Sequence, residues 1–166
     1  HIAYRLTIKG PYAYITGYKD SPNVSIINIA DPANPYWVYS ATFGSGCYSI
    51  KIKGRYAYLA ALDAGIVVLD ISQPANPEPV FTYDTPRGVT DLYIKANYLY
   101  ATDETSFMIF SLKNPARPAL KASLRFGLAS QVHVVGKFAY ISAFDSGFAV
   151  VDVADPEQPR YIANYS

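Results

Sequence analysis

One cysteine, one methionine, one tryptophan and two histidines occur in 166 residues. Cys47 alone cannot close an internal disulfide, build a thiolate zinc site or form a Cys-x-x-Cys redox pair, so neither an oxidising nor a reducing compartment is excluded. His1 and His133 lack ligand-pair spacing, and no transition-metal site is expected from them. An excess of one charge is also missing: 14 Lys and Arg stand against 13 Asp and Glu, without runs, which provides no basic face for nucleic acid or an anionic membrane. No apolar stretch approaches the roughly 20 residues of a membrane-spanning helix. The chain opens on His1 with no charged-then-apolar signal segment, as expected of a processed or excised start whose targeting information lies elsewhere. It contains no Gly-x-Ser-x-Gly elbow, phosphate-binding glycine loop, haem-attachment motif or His-Glu-x-x-His segment.

What is abundant points to sheet. Sixteen Tyr and eight Phe are punctuated by 12 Pro and 10 Gly, and apolar and polar residues alternate over short runs, so no helix is expected. Laid against itself, the chain repeats. Lys9-Gly-Pro-Tyr-Ala-Tyr14, Lys53-Gly-Arg-Tyr-Ala-Tyr58, Lys95-Ala-Asn-Tyr-Leu-Tyr100 and Val135-Gly-Lys-Phe-Ala-Tyr140 start 44, 42 and 40 residues apart. A second motif, Asp31-Pro-Ala-Asn-Pro35, Gln73-Pro-Ala-Asn-Pro77, Asn114-Pro-Ala-Arg-Pro118 and Asp155-Pro-Glu-Gln-Pro159, keeps the same period.

Each unit reads as four short strands. Strand a is expected at residues 4–9, 48–53, 91–95 and 131–135, joined by a glycine turn to strand b, the Tyr-Ala-Tyr run. Strand c, at 24–29, 66–71, 107–112 and 148–153, is the most apolar and should be buried on both faces. Strand d follows the proline-bracketed turn, at 37–43, 79–83, 119–124 and 161–165, and should lie outermost. The expected fold is all-β: a single β-propeller domain over 1–166 with four four-stranded antiparallel blades, at about 1–44, 45–86, 87–127 and 128–166. The alternative is that these are four blades of a larger six- to eight-bladed ring.

The strand-c runs Ser25-Ile-Ile-Asn-Ile-Ala-Asp31, Ile66-Val-Val-Leu-Asp-Ile-Ser72 and Ala149-Val-Val-Asp-Val-Ala-Asp155, each followed by Pro-x-x-Pro and preceded by the tyrosine strand, resemble LVIVD repeats. The third unit, Met108-Ile-Phe-Ser-Leu-Lys-Asn114, departs in having Ser111 where the others carry Asp or Asn. The resemblance implies a propeller of bacterial or archaeal cell-surface and secreted proteins, and implies no enzyme activity.

Candidate functional residues gather on the face carrying the b–c hairpins and the d-to-a crossings. Its tips hold Asp20, Asp63, Asp103 with Glu104, and Asp145. Carboxylates at corresponding positions offer oxygen ligands to a cation such as calcium, the one cofactor weighed, but Asp-x-Gly is also ordinary hairpin-turn chemistry and is the preferred reading. Arg5, Ser49, Asp91 and Gln131 occupy one position of strand a, polar and different in each unit, where a propeller can place specificity at its channel mouth. Tyr18, Phe126 and Phe144, outside the repeating tyrosine pattern, are candidates for protein contact. The expected role is a non-enzymatic scaffold for a protein partner, self-assembly or further blades of a larger parent chain. The alternative is a propeller binding or hydrolysing a small ligand at the channel mouth.

Overall fold

The structure, a computed structural model, describes residues 2–18, 22–125, 127–143 and 147–165. Sixteen strands make up the regular structure of these residues, and none of them is helical. The first blade comprises β1 (Ile2–Lys9), β2 (Tyr12–Tyr18), β3 (Val24–Asn28) and β4 (Tyr36–Ala41). The second comprises β5 (Ser49–Lys53), β6 (Tyr56–Ala60), β7 (Ile66–Asp70) and β8 (Glu78–Tyr83). The third comprises β9 (Val89–Lys95), β10 (Tyr98–Asp103), β11 (Ser106–Ser111) and β12 (Ala119–Arg125). The fourth comprises β13 (Ala129–Val135), β14 (Phe138–Ala143), β15 (Gly147–Asp152) and β16 (Arg160–Tyr165). In each blade the strands pair antiparallel in chain order.

The first turn of every blade needs a left-handed residue, and Gly10, Gly54 and Gly136 supply it with φ of +54°, +57° and +55°. In the third blade Ala96 takes φ +49° at the same place, a conformation in which its Cβ crowds the following carbonyl. At the far end of the third strand, a side-chain oxygen accepts from the backbone N–H two residues on: Asn28 from Ala30, Asp70 from Ser72 and Asp152 from Ala154, at 2.8–2.9 Å. Ser111 keeps this turn through its hydroxyl, at a longer 3.3 Å from Lys113 N. A backbone bond from the next residue ties that turn to the first one in all four blades: Ile29 to Pro11, Ile71 to Arg55, Leu112 to Asn97 and Val153 to Lys137. The acid of this position has a cation opposite it where the first turn offers one, Arg55 for Asp70 and Lys137 for Asp152. Pro11 and Asn97 leave the neutral Asn28 and Ser111. Asp31, Asn114 and Asp155 then accept from the N–H two residues on, which shapes the proline-bracketed turn.

The last strand of each blade carries a bulge at one equivalent place, opposite Ile26/Ile27, Val68/Leu69, Ile109/Phe110 and Val150/Val151. A bulge increases local twist, as a blade's outer strand requires. Burial falls towards that strand: β7 and β11 are almost wholly buried, whereas β8, β12 and β16 are largely exposed. The expectation of a third strand buried on both faces fails in β15, whose Phe148 is exposed.

The chain divides into two compact units, His1–Gly88 and Val89–Ser166, each holding two blades. In the first unit Tyr14, Val24 and Ile26 of one blade pack on Ile50, Leu59, Val67 and Leu69 of the next, with Tyr12 and Ile52 closing over them. In the second, Tyr100, Phe107 and Ile109 pack on Val132, Val134, Ile141 and Val151. Tyr12, Tyr14, Tyr98 and Tyr100 thus serve blade-to-blade packing, and burial raises the phenol pKa of Tyr14, Tyr58 and Tyr100.

Polar links stitch the blades within each unit. Lys9 Nζ donates to the Gly54 carbonyl in the first unit, and Lys95 Nζ to the Gly136 carbonyl in the second. Thr7 Oγ1 donates to Ile50 O at 3.3 Å, and Thr90 Oγ1 lies 3.1 Å from Ala129 O.

Candidate functional site

The end of the first unit that carries the β2–β3 and β6–β7 hairpins and the β4–β5 crossing is built around three tyrosines. Tyr4 of β1 meets Tyr48 edge-on, with ring centroids 5.0 Å apart, and lies 6.1 Å from Tyr18 at the end of β2. Tyr18 and Tyr48 are 5.6 Å apart. Such tilted and edge-on contacts suit the aromatic quadrupole, and Tyr4 remains exposed. The crossing reaches this cluster because it contains two glycines. A Cβ on Gly46 would stand 2.6 Å from the Tyr18 ring, and one on Gly44, at φ +57°, 2.5 Å from the Ala61 carbonyl.

Two side chains fix the crossing. The buried Asn23 uses its amide as a strand would, donating from Nδ2 to Phe43 O at 3.0 Å and accepting from Phe43 N at 2.9 Å. Asp63, on the next blade's hairpin, accepts from Ser45 N at 2.6 Å and from Ser45 Oγ at 2.8 Å. The Ser45 backbone bond, followed by its hydroxyl, holds the Asp63 carboxyl below its ordinary pKa.

Arg5, Ser49, Asp91 and Gln131 prove to be register equivalents, lying opposite Thr16, Ala60, Thr102 and Ser142 of their own blades. Their environments differ. Arg5 and Gln131 are exposed. Ser49 is fully buried, its Oγ without a hydrogen-bond partner among the described residues. Asp91 is buried too, accepting from Val132 N of the neighbouring blade at 3.2 Å through Oδ2, while Oδ1 has no partner among the described residues. It therefore acts as a blade-to-blade brace. A bulge precedes this position in β1, β9 and β13, which sets the direction of the side chain.

Of the tip acids, Asp103 is fully buried and its Oδ1 caps the β10–β11 hairpin, accepting from Thr105 N at 2.7 Å. Glu104 is exposed. Asp20, Asp145, Phe126 and Phe144 lie outside the described residues. Among the described residues, no three His, Cys, Asp or Glu side chains gather as metal ligands. His133, exposed on β13, sets its ring 4.5 Å from that of Tyr93. Tyr18 and Asp63 stand out in the sequence, whereas Tyr4, Tyr48 and Asn23 do not, because their partners lie on other segments and leave no local signature.

Four-stranded antiparallel blades recurring along the chain define a repeat β-propeller domain. The LVIVD repeat family model matches residues 46–85, 86–125 and 126–166, and the chain belongs to that family. The first blade lies outside the matched residues, yet it forms the same sheet. Among solved structures, the computationally designed Ika8 protein is similar at a TM-score of 0.75 and 16% identity, over 98% of this chain and 48% of that one. The chain thus spans about half the length of Ika8, whereas against the designed Ika4 protein it covers 97% of itself and 91% of that chain, at a TM-score of 0.71 and 11% identity. A chain of an S. cerevisiae assembly of Dbp5 with Nup159, Gle1, IP6 and ADP is similar at a TM-score of 0.66 and 8% identity, over 99% of this chain and 47% of that one. No curated protein matches in sequence.

Proposed function

We propose that this LVIVD-repeat domain is a non-enzymatic extracellular or cell-surface scaffold that binds a protein partner through the hairpin-and-crossing end of its blades. The observation that carries this reading is the cluster of Tyr4, Tyr18 and Tyr48, aromatic surface held rigid by its own ring contacts. Tyrosines presented this way supply large contact area at low entropic cost and are enriched at protein interfaces. The polar side chains beside them support the same reading, since Asp63 and Asn23 are engaged in shaping the crossing. The resemblance to cell-surface and secreted propellers supports the extracellular address.

The test places a photo-reactive benzophenone amino acid at Tyr4 in cells producing the protein. A discrete cross-linked protein species, formed on intact cells and removed by externally added protease, is expected. No discrete adduct, or adducts shielded from external protease, would contradict the proposal. Turnover of a small ligand that Asp91→Asn abolishes in a folded protein would contradict it equally.

A further inference from the structure

Within the second unit, the junction of the third and fourth blades gathers oxygen atoms around one buried acid. The bulge in β9 leaves Thr90 as its extra residue, so that Thr90 and Asp91, although consecutive, share a face of the sheet. Asp91 is the register partner of Thr102, and Thr90 Oγ1 lies 3.0 Å from Thr102 Oγ1. Both residues reach the next blade: Thr90 Oγ1 is 3.1 Å from Ala129 O, and Asp91 Oδ2 accepts from Val132 N at 3.2 Å.

Acceptors here outnumber donors. Thr90 Oγ1 has one proton for two carbonyls, Thr102 O and Ala129 O, each 3.1 Å away. Asp91 is only 5% exposed, and among the described residues its Oδ1 has no hydrogen-bond partner and its carboxylate no ion pair. A buried carboxylate left with a single neutral donor is costly unless positive charge or a proton reaches it.

We propose that this junction binds a calcium ion, with Asp91 Oδ1 as the charged ligand and the Thr90 hydroxyl and the Thr102 and Ala129 carbonyls as neutral oxygen ligands. Calcium takes six to eight oxygens in adaptable arrangements, backbone carbonyls included, and water completes the set. Magnesium demands a near-ideal octahedron, and zinc or copper favours nitrogen and sulfur ligands, which these residues do not offer. With one carboxylate the affinity belongs at the weak end of the calcium range, about 0.1–1 mM. The ion ties together the two blades that Asp91 already braces. At the equivalent bulge of β1 the pair is Tyr4 and Arg5, an aromatic and a cation, so the first blade has no counterpart of this site. Such a site goes beyond the tyrosine-cluster reading and does not rest on it.

The test is a thermal melt and a calorimetric titration of the whole chain, stripped with EDTA and held at constant ionic strength in KCl, with calcium chloride or magnesium chloride added. Millimolar calcium is expected to raise the melting midpoint by a few degrees and to give a saturable heat, with magnesium doing much less. Asp91→Asn keeps the shape and removes the charge, so it should melt cooperatively and lose both calcium responses. Asp63→Asn, on another hairpin, should keep them. Thr90→Val should weaken the calcium affinity several-fold, which tests the site even where Asp91→Asn does not fold. A midpoint indifferent to calcium, as a protonated Asp91 would give, would overturn the proposal. So would magnesium acting as well as calcium, an undiminished calcium response in Asp91→Asn, or an unchanged affinity in Thr90→Val.

Discussion

At the scale of single residues, strain and charge make direct predictions. Holding Ala96 at φ +49° costs about 1–2 kcal/mol. Glycine would remove that strain while adding about 0.4–1 kcal/mol of unfolded-state freedom. Ala96→Gly is thus expected to stabilise the protein by up to about 1.5 kcal/mol, seen as a rise in the urea midpoint; a fall would show that the position is not strained. Asp70 is held down to about 2, first by its hydrogen bond with Arg55 and then by Ser72 N. Since its folded value lies below the ordinary carboxylate value, the contribution of this pair to stability is present above about pH 4 and lost as the pH falls towards 2. Carboxyl NMR should show the Asp70 midpoint rising in Arg55→Ala. Cys47 is fully buried, and burial raises its thiol pKa strongly. Aromatic disulfide reagents should react with it only as the protein unfolds, and a rapid native-state reaction would contradict that burial. Residues acting within two or three positions, such as Asp31 and Asp155, were legible in the sequence because their turn partner is adjacent. Asp63 was legible only as a turn residue, since Ser45 lies 18 positions away across a blade boundary.

Among the elements, the strands were the most readable. The period fixed all sixteen, and boundaries moved by a few residues where bulges in β1, β9 and β13 extend the first strand of the blade. Ser111 shows why a departure in motif need not break an element: its hydroxyl still accepts the turn N–H, and no cation at Asn97 requires a carboxylate there. The β4–β5 crossing was not readable, because its path depends on close approach to another hairpin. It gives a paired test at two glycines of the same backbone conformation. Gly54→Ala meets no atom within 4 Å and should cost about 1 kcal/mol through φ alone. Gly44→Ala would bring a Cβ to 2.5 Å from Ala61 O and 2.7 Å from Asp63 Oδ1, and should cost distinctly more in denaturant melts. Equal costs would mean that the crossing yields without effort.

For the molecule as a whole, the repeat specifies blades more firmly than it specifies their neighbours. Equivalent apolar positions look alike in sequence, and only the structure separates Val132 and Val134, which are packed, from Leu6 and Ile8, which are not. The same holds for the stacks at Tyr100–Phe107 and Tyr140–Phe148. The central claim is that the end of the first unit built around Tyr4, Tyr18 and Tyr48 is a contact surface for a protein partner. Its most direct test is cross-linking on intact cells from a benzophenone amino acid at Tyr4, which should give one discrete protein adduct. No discrete adduct from that position would contradict the account.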